Sequence, residues 1–198
     1  MLVIRWLSLR VECLKMLKEG GETSAKRVAM VGMFPPPTSG AAKNNQILLE
    51  ELGSDGVIVT KLATSGEGLA HKRGLHYHAQ RLLTNVGVLS RILKLKRSLN
   101  SFYIVPDAGL GMLYSAIHIF FGRGKADKVF IHHRSFKYID NVSPFMRLIV
   151  RLTRGRAIHV FLSESMGSKF EAVYGDVAKR VVSNAHYVLP NISPARDR

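Results

Sequence analysis

A short apolar run, Val28 to Val31, leads into a loop carrying Gly32, Pro35, Pro36, Pro37, Ser39 and Gly40, and a helical pattern follows from about Ala41 to Leu52. No other stretch restricts the fold so strongly. Three consecutive prolines lack backbone donors and cannot continue a helix, so the loop is neither helix nor central strand. The unbroken apolar run before it suits a parallel strand covered on both faces. After it, Ile47, Leu48 and Leu52 face inward and Gly53 is the stop. A strand, a tight loop and a helix in this order open an α/β domain.

The same alternation recurs. Val57–Leu62 reads as a second strand, followed by a helix over about 75–97 in which Leu82, Val86, Leu89 and Leu93 recur at four, three and four. Phe102–Val105 is a third strand ended by Pro106, and Leu110, Leu113, Tyr114, Ile117 and Phe121 mark the next helix. Lys128–His132 precedes a helix near 143–153, and Ala157–Leu162 precedes one across 165–174. Arg180–Ser183 with Tyr187–Leu189 forms a last strand region. Strands alternating with helices predict right-handed crossovers and an open, mostly parallel α/β sheet.

The organisation expected is residues 1–26 as an amphipathic helix and linker, 27–190 as one domain, and 191–198 as a short tail. In the first segment Arg5, Ser8, Glu12, Lys15 and Glu19 recur at three or four while Leu2, Ile4, Leu7, Val11, Leu14 and Leu17 fill much of the remainder. With Trp6, that pattern suits a helix packed on a protein core or one lying at a membrane interface. Charges interrupt it too often for a signal peptide. A chain of 198 residues has room for one substantial core, and no stretch has the apolar length to span a bilayer.

The formal net charge of +15 points to an anionic partner: nucleic acid, an anionic membrane surface, or a phosphate-bearing substrate. From Gly68 to Pro106 there is no Asp or Glu, while Lys72, Arg73, Arg81, Arg91, Lys94, Lys96 and Arg97 are all positive. Cys13 is the single cysteine, which excludes an intrachain disulfide and any paired-cysteine metal or redox site. The chain reads as cytoplasmic, with peripheral contact at the inner face of the cytoplasmic membrane as one option.

In an open parallel sheet, ligands gather beyond the carboxyl ends of the strands. The first loop has neither the dinucleotide fingerprint nor the Lys-Ser/Thr ending of a P-loop. Gly40 nevertheless stands before a helix whose first N–H groups point at the loop, where they, with the hydroxyls of Thr38 and Ser39, suit a phosphate. The alternative is a rigid connection that only shapes the turn. Asp107 and Gly109 follow the third strand; the carboxylate either binds sugar hydroxyls or caps the next helix. His132, His133, Arg134 and Ser135 end the fourth. Strand alternation sends the two histidines to opposite sheet faces, so they do not chelate one ion together, and Arg134 offers a fork for phosphate or carboxylate. Ser163 and Glu164 end the fifth, as a helix cap or as substrate contacts. His71, His76 and His78 lack the acidic or thiolate company of a zinc site, so no metal and no cofactor is expected.

The segment VAMVGMFPPPTSGAAKNNQILLEEL at 28–52 resembles the amino-terminal half of GT-B-fold retaining glycosyltransferases of family 4. Further likeness lies in FYIVPDAGLGMLYSAI at 102–117, FIHHRSF at 130–136, VFLSESMGSKFEAVYG at 160–175 and RVVSNAHYV at 180–188, covering about residues 27–190. The resemblance implies a Rossmann-like, acceptor-side half-domain whose partners are a nucleotide-sugar and a glycan or lipid-linked acceptor. By the same likeness Ser39 and Gly40 lie near the donor phosphates, His132 or His133 meets the reacting sugars, and Gly109, Ser135, Ser163 and Asn184 contact ligand or shape the cleft. The family holds its nucleotide-sugar mainly in a second domain, for which nothing after Asn191 has room. A truncated gene, a split enzyme with a separate donor-binding domain, and a former enzyme half retained for binding all fit, and independent catalysis is not expected.

Overall fold

The computed structural model describes residues 26–36, 38–65 and 74–182. The readings made on residues 1–25, Pro37, His71, Lys72, Arg73, Asn184 and the segment Tyr187–Leu189 lie outside the described residues. Six strands, β1 (Arg27–Gly32), β2 (Ile58–Ala63), β3 (Leu99–Ile104), β4 (Ala126–His132), β5 (Ala157–Phe161) and β6 (Lys179–Val181), form one sheet in the order β2-β1-β3-β4-β5-β6. Every pairing is parallel. The architecture is Rossmann-like α/β, as the alternation of strand and helix predicts.

Six helices connect them: α1 (Gly40–Ser54), α2 (Leu75–Lys94), α3 (Gly111–Gly122), the short α4 (Lys137–Asp140), α5 (Pro144–Thr153) and α6 (Glu164–Tyr174). Three starts carry a serine cap: Ser39, Ser143 and Ser163 accept from the N–H groups of Ala42, Met146 and Met166. Each satisfies one of the donors that a helix start leaves unpaired. Pro144 adds a backbone preset for the first turn of α5.

The core has two parts, one on each face of the sheet. On one face Val28, Met30, Tyr103, Phe130 and Val160 pack against Phe34, Leu48 and Leu52, the last two from α1. On the other, Ala29, Val31, Phe102, Ile104, Val129 and Ile131 meet Val88, Ile92, Met112, Ile119, Ile149 and Phe170 from α2, α3, α5 and α6. Alternate residues of one strand thus serve opposite layers, the period-two consequence of the pleat. Because β1 sends α1 to one face and the later connections run over the other, the sheet reverses its winding between β1 and β3. That is the topological switch point, where the carboxyl ends of neighbouring strands leave a crevice.

The stripe Leu82, Val86, Leu89 and Leu93 that periodicity selects in α2 is not its inward face. Asn85, Val88 and Ile92 are buried, whereas Leu82, Val86 and Leu93 are 49%, 53% and 49% exposed. Likewise α3 buries Met112, Ala116 and Ile119 and exposes Leu113 and Phe121. These helices carry two apolar faces, and spacing alone does not tell which one meets the sheet.

Candidate functional site

The loop after β1 is held from three sides. Gly32 passes so close to α1 that an added Cβ would sit 2.7 Å from Asn45 Nδ2. Asn45, 1% exposed, uses that amide to donate to Met33 O at 2.8 Å. The Phe34 ring is buried, its N–H donates to Ser65 Oγ at 3.0 Å, and the Ser65 hydroxyl donates back to Phe34 O at 2.7 Å. Lys61 Nζ lies 4.8 Å from the Phe34 ring centre. Burying such a ring contributes about 1.5–3 kcal/mol, so Phe34 is the anchor from which the prolines project. The Pro35–Pro36 bond is cis. Ser39 then caps α1, and Gly40 begins it with, apart from its chain neighbours and its own helix, no atom of the described residues within 4 Å of where a side chain would start. Packing among the described residues therefore does not demand glycine at position 40.

Beside this helix start lies a polar group carried by β3 and β4. The Tyr103 hydroxyl is 2.6 Å from His132 Nδ1. Arg134 reaches back across the strands, its Nη2 donating to the Tyr103 hydroxyl at 3.0 Å and its Nη1 to Ala41 O, in the first turn of α1, at 3.3 Å. Arg134 Nη2 also approaches His132 Nδ1 at 3.4 Å. A guanidinium only donates, so Tyr103 accepts from Arg134 and gives its own proton to Nδ1. This order leaves the proton of a neutral His132 ring on Nε2, an assignment from the network. The buried Nε of Arg134 has no hydrogen-bond partner among the described residues. One cation, one imidazole and one helix N-terminus thus converge at the switch point.

His133 takes a different environment. It is 0% exposed, its Nδ1 3.0 Å from the Tyr138 hydroxyl and its Nε2 2.8 Å from His159 Nδ1. Its ring stacks on Phe161 at 4.7 Å and on His159 at 5.1 Å. Burial, then the neighbouring His159 and His132, hold its pKa well below the ordinary 6.5, and burial lowers His159 to about 4. The adjacent histidines therefore split as strand alternation predicts, one to the strand-end polar group and the other into a sealed aromatic core.

The remaining candidates lie along the same sheet edge. Asp107 does not cap α3, whose start has no side-chain cap; its carboxylate instead pairs with Arg81 of α2 at 2.7 Å, and its N–H donates to Ser115 Oγ at 3.0 Å. The capping alternative is corrected: Leu110, three residues later, stands at the start of α3, and the Asp107 carboxylate turns to Arg81 instead. Gly109, exposed with φ of 63°, adopts a backbone that side chains rarely reach. Ser135 accepts from the Lys137 N–H at 3.3 Å. Ser163 caps α6 at the end of β5, one strand beyond Arg134. His76 and His78 are exposed, and among the described residues no group of three or more His, Cys, Asp or Glu could hold a metal ion.

Tyr103, Asn45, Ser65 and Arg81 are partners that sequence reasoning passes over. Tyr103 carried no local signal: only the pairing of β3 with β4, which sets it opposite Phe130, puts it on the face His132 uses. Asn45 had a weak one, a polar residue three before the inward Leu48. Ser65 and Arg81 depend on contacts 31 and 26 residues away, which local patterns do not encode. Comparison with family models, with curated proteins and with solved structures finds no match to this chain.

Proposed function

We propose that this chain is the acceptor-side half of a sugar-transfer enzyme, moving a hexosyl group from a nucleotide-sugar to a glycan or lipid-linked acceptor once a donor-binding domain faces it. The observation that carries this reading is the meeting of Arg134, His132 and the start of α1 at the switch point, beside an anchored Pro/Gly loop. A departing diphosphate gathers negative charge. A fixed guanidinium and unpaired helix N–H groups favour that charge without reorganising. Ser39 and Gly40 are assigned to the phosphates, His132 and Arg134 to the reacting groups, and Asp107, Gly109, Ser135 and Ser163 to the walls of the acceptor side. His133 supports this edge from within the core. A lipid-linked acceptor places the domain peripherally at a membrane; no described helix is long and apolar enough to cross one.

The test is transfer of labelled hexose from UDP-glucose and GDP-mannose to an isoprenyl-diphosphate-linked sugar, by the chain alone and with a donor-binding domain added. Transfer is expected only with both parts, and Arg134→Gln lowers kcat by about tenfold or more, the scale of losing a charge-stabilising donor. Absence of transfer with both parts, together with no shift of the Gly40 and Ala41 amide signals on adding glucose 1-phosphate, rejects the reading.

The net charge of +15 supports a second reading, a non-catalytic nucleic-acid-binding module. Stoichiometric RNA or DNA binding that persists at physiological salt favours it, since simple polycation binding fades as salt rises.

A further inference from the structure

The outward stripes of α2 and α3 have no partner in the described fold. On α2, Leu82, Leu83 and Val86 are 49%, 70% and 53% exposed; on α3, Leu113, Phe120 and Phe121 are 42%, 46% and 38% exposed. Single exposed apolar residues need no explanation, but two neighbouring helices with outward stripes do. α3 carries no charged side chain at all, the composition of a helix covered on every side.

The two stripes form one surface. Asn85 O of α2 meets His118 Nε2 of α3 at 3.2 Å, and Lys125 Nζ donates to Leu93 O at 2.9 Å, so the helices lie side by side in a fixed register. Residues three and four apart share a helix face, which places Leu82 and Val86 beside the outer side of α3. α5 packs on the other side of α3 and adds Leu148, 41% exposed.

Charge identifies what covers this surface. The 20 residues of α2, the 12 of α3 and the 10 of α5 include no Asp or Glu. Exposed cations border the apolar centre: Arg91 and Lys94 on α2, Arg147 and Arg151 on α5. The helix on the opposite sheet face, α1, carries Glu50 and Glu51. A second copy would set one acid-free cationic border against another, in a chain of net charge +15. Nucleic acid would meet the arginines but leave leucines and phenylalanines against phosphate. An anionic bilayer satisfies both parts, taking apolar side chains at the acyl boundary and cations at the headgroups.

We propose that the outer surface of the α2–α3–α5 layer docks on an anionic membrane, with Leu82, Leu83, Val86, Leu113, Phe120 and Phe121 entering the interface. This rests on exposure, helix register and charge, and stands apart from the sugar-transfer reading. It places the strand-end site at the side of the docked domain, because the helices run along the sheet rather than across its carboxyl edge.

The experiment is sedimentation of the full chain with phosphatidylcholine vesicles and with vesicles containing phosphatidylglycerol. Binding is expected to the anionic vesicles only and to weaken as salt rises. Leu83→Asp with Val86→Asp, and separately Arg91→Glu with Lys94→Glu, each lower the partition coefficient by about tenfold or more. All four positions are exposed, so these variants keep the fold, checked by circular dichroism. With Cys13→Ser and Leu113→Cys, an environment-sensitive fluorophore at position 113 shifts to the blue on the anionic vesicles. Vesicle binding that the variants leave unchanged, or a fluorophore that stays in water, overturns the proposal. So does a dimer that the aspartate variants dissolve without vesicles, or RNA that competes for the same face while neutral vesicles bind equally well.

Discussion

The hydroxyl of Tyr103 stands 2.6 Å from Nδ1 of His132, joining the third and fourth strands at the edge where the first helix begins. Because a guanidinium only donates, the Tyr103 hydroxyl accepts from Arg134 and is placed to give its own proton to Nδ1. His132 is therefore expected as the Nε2–H tautomer, with Nδ1 an acceptor. Nitrogen-15 shifts of the imidazole check this: an unprotonated Nδ1 in the native chain, and a changed Nδ1 signal in Tyr103→Phe. That variant loses about 1 kcal/mol, the usual net value of one hydrogen bond. A proton on Nδ1 in the native chain would sink the arrangement.

The loop glycines separate a packing requirement from a ligand requirement. Gly32→Ala pushes a Cβ into Asn45 Nδ2 and so disturbs the amide that holds Met33 O. A loss of about 1–3 kcal/mol is expected, the cost of overpacking a buried site. Gly40→Ala meets no atom of the described residues beyond its chain neighbours and its own helix, and replaces glycine with a better helix former, so its denaturation midpoint stays level or rises. Weaker binding of glucose 1-phosphate by Gly40→Ala, without loss of stability, is the expected sign that a phosphate approaches this backbone. Equal binding in the two proteins would remove Gly40 from the site.

Much of this architecture was legible because its signals are local. The prolines between Val28–Val31 and the helix after Gly40 could be placed from backbone chemistry alone, and strand alternation separated His132 from His133. What was not legible depends on long-range choices. Spacing in α2 supports two apolar faces, and only packing against Ala29 and Phe102 selects Val88 and Ile92 as the inner one. Asp107 looked equally suited to a cap, since Arg81, its partner, lies 26 residues earlier. Tyr103 read as one more apolar strand residue until β4 placed His132 beside its hydroxyl.

Arg81 and Asp107 form a partly buried pair, with side chains 24% and 23% exposed. Solvent still reaches both, so the coupling is modest, about 1 kcal/mol or less. A double-mutant cycle with Arg81→Met and Asp107→Asn, read by urea denaturation, should return a coupling of that size that shrinks in high salt. If Asp107→Asn also weakens acceptor binding beyond its effect on stability, the carboxylate touches ligand as well. A coupling near zero would mean that the pair does not persist in solution.

The stacked pair His133–His159 makes stability depend on pH in a direction that can be worked out. Both rings are buried and neutral, and each takes up a proton more readily once the chain unfolds to the ordinary pKa of 6.5. The unfolded state then binds more protons, so stability rises with pH across this interval and falls as pH drops below about 6.5. For His159 the loss ends near its folded value of about 4. Each ring contributes a slope of about 1.4 kcal/mol per pH unit inside its window. Carboxylates add their own slopes, so the informative quantity is a difference. Urea denaturation of the native chain and of the double variant His133→Phe, His159→Phe, at steps from pH 7.5 to 4.5, should show the native chain losing stability faster on acidification. The phenylalanines keep the stack on Phe161 and Phe170 while removing the two titrating groups. Parallel curves would mean that these imidazoles do not remain neutral, and that water reaches the core at β5.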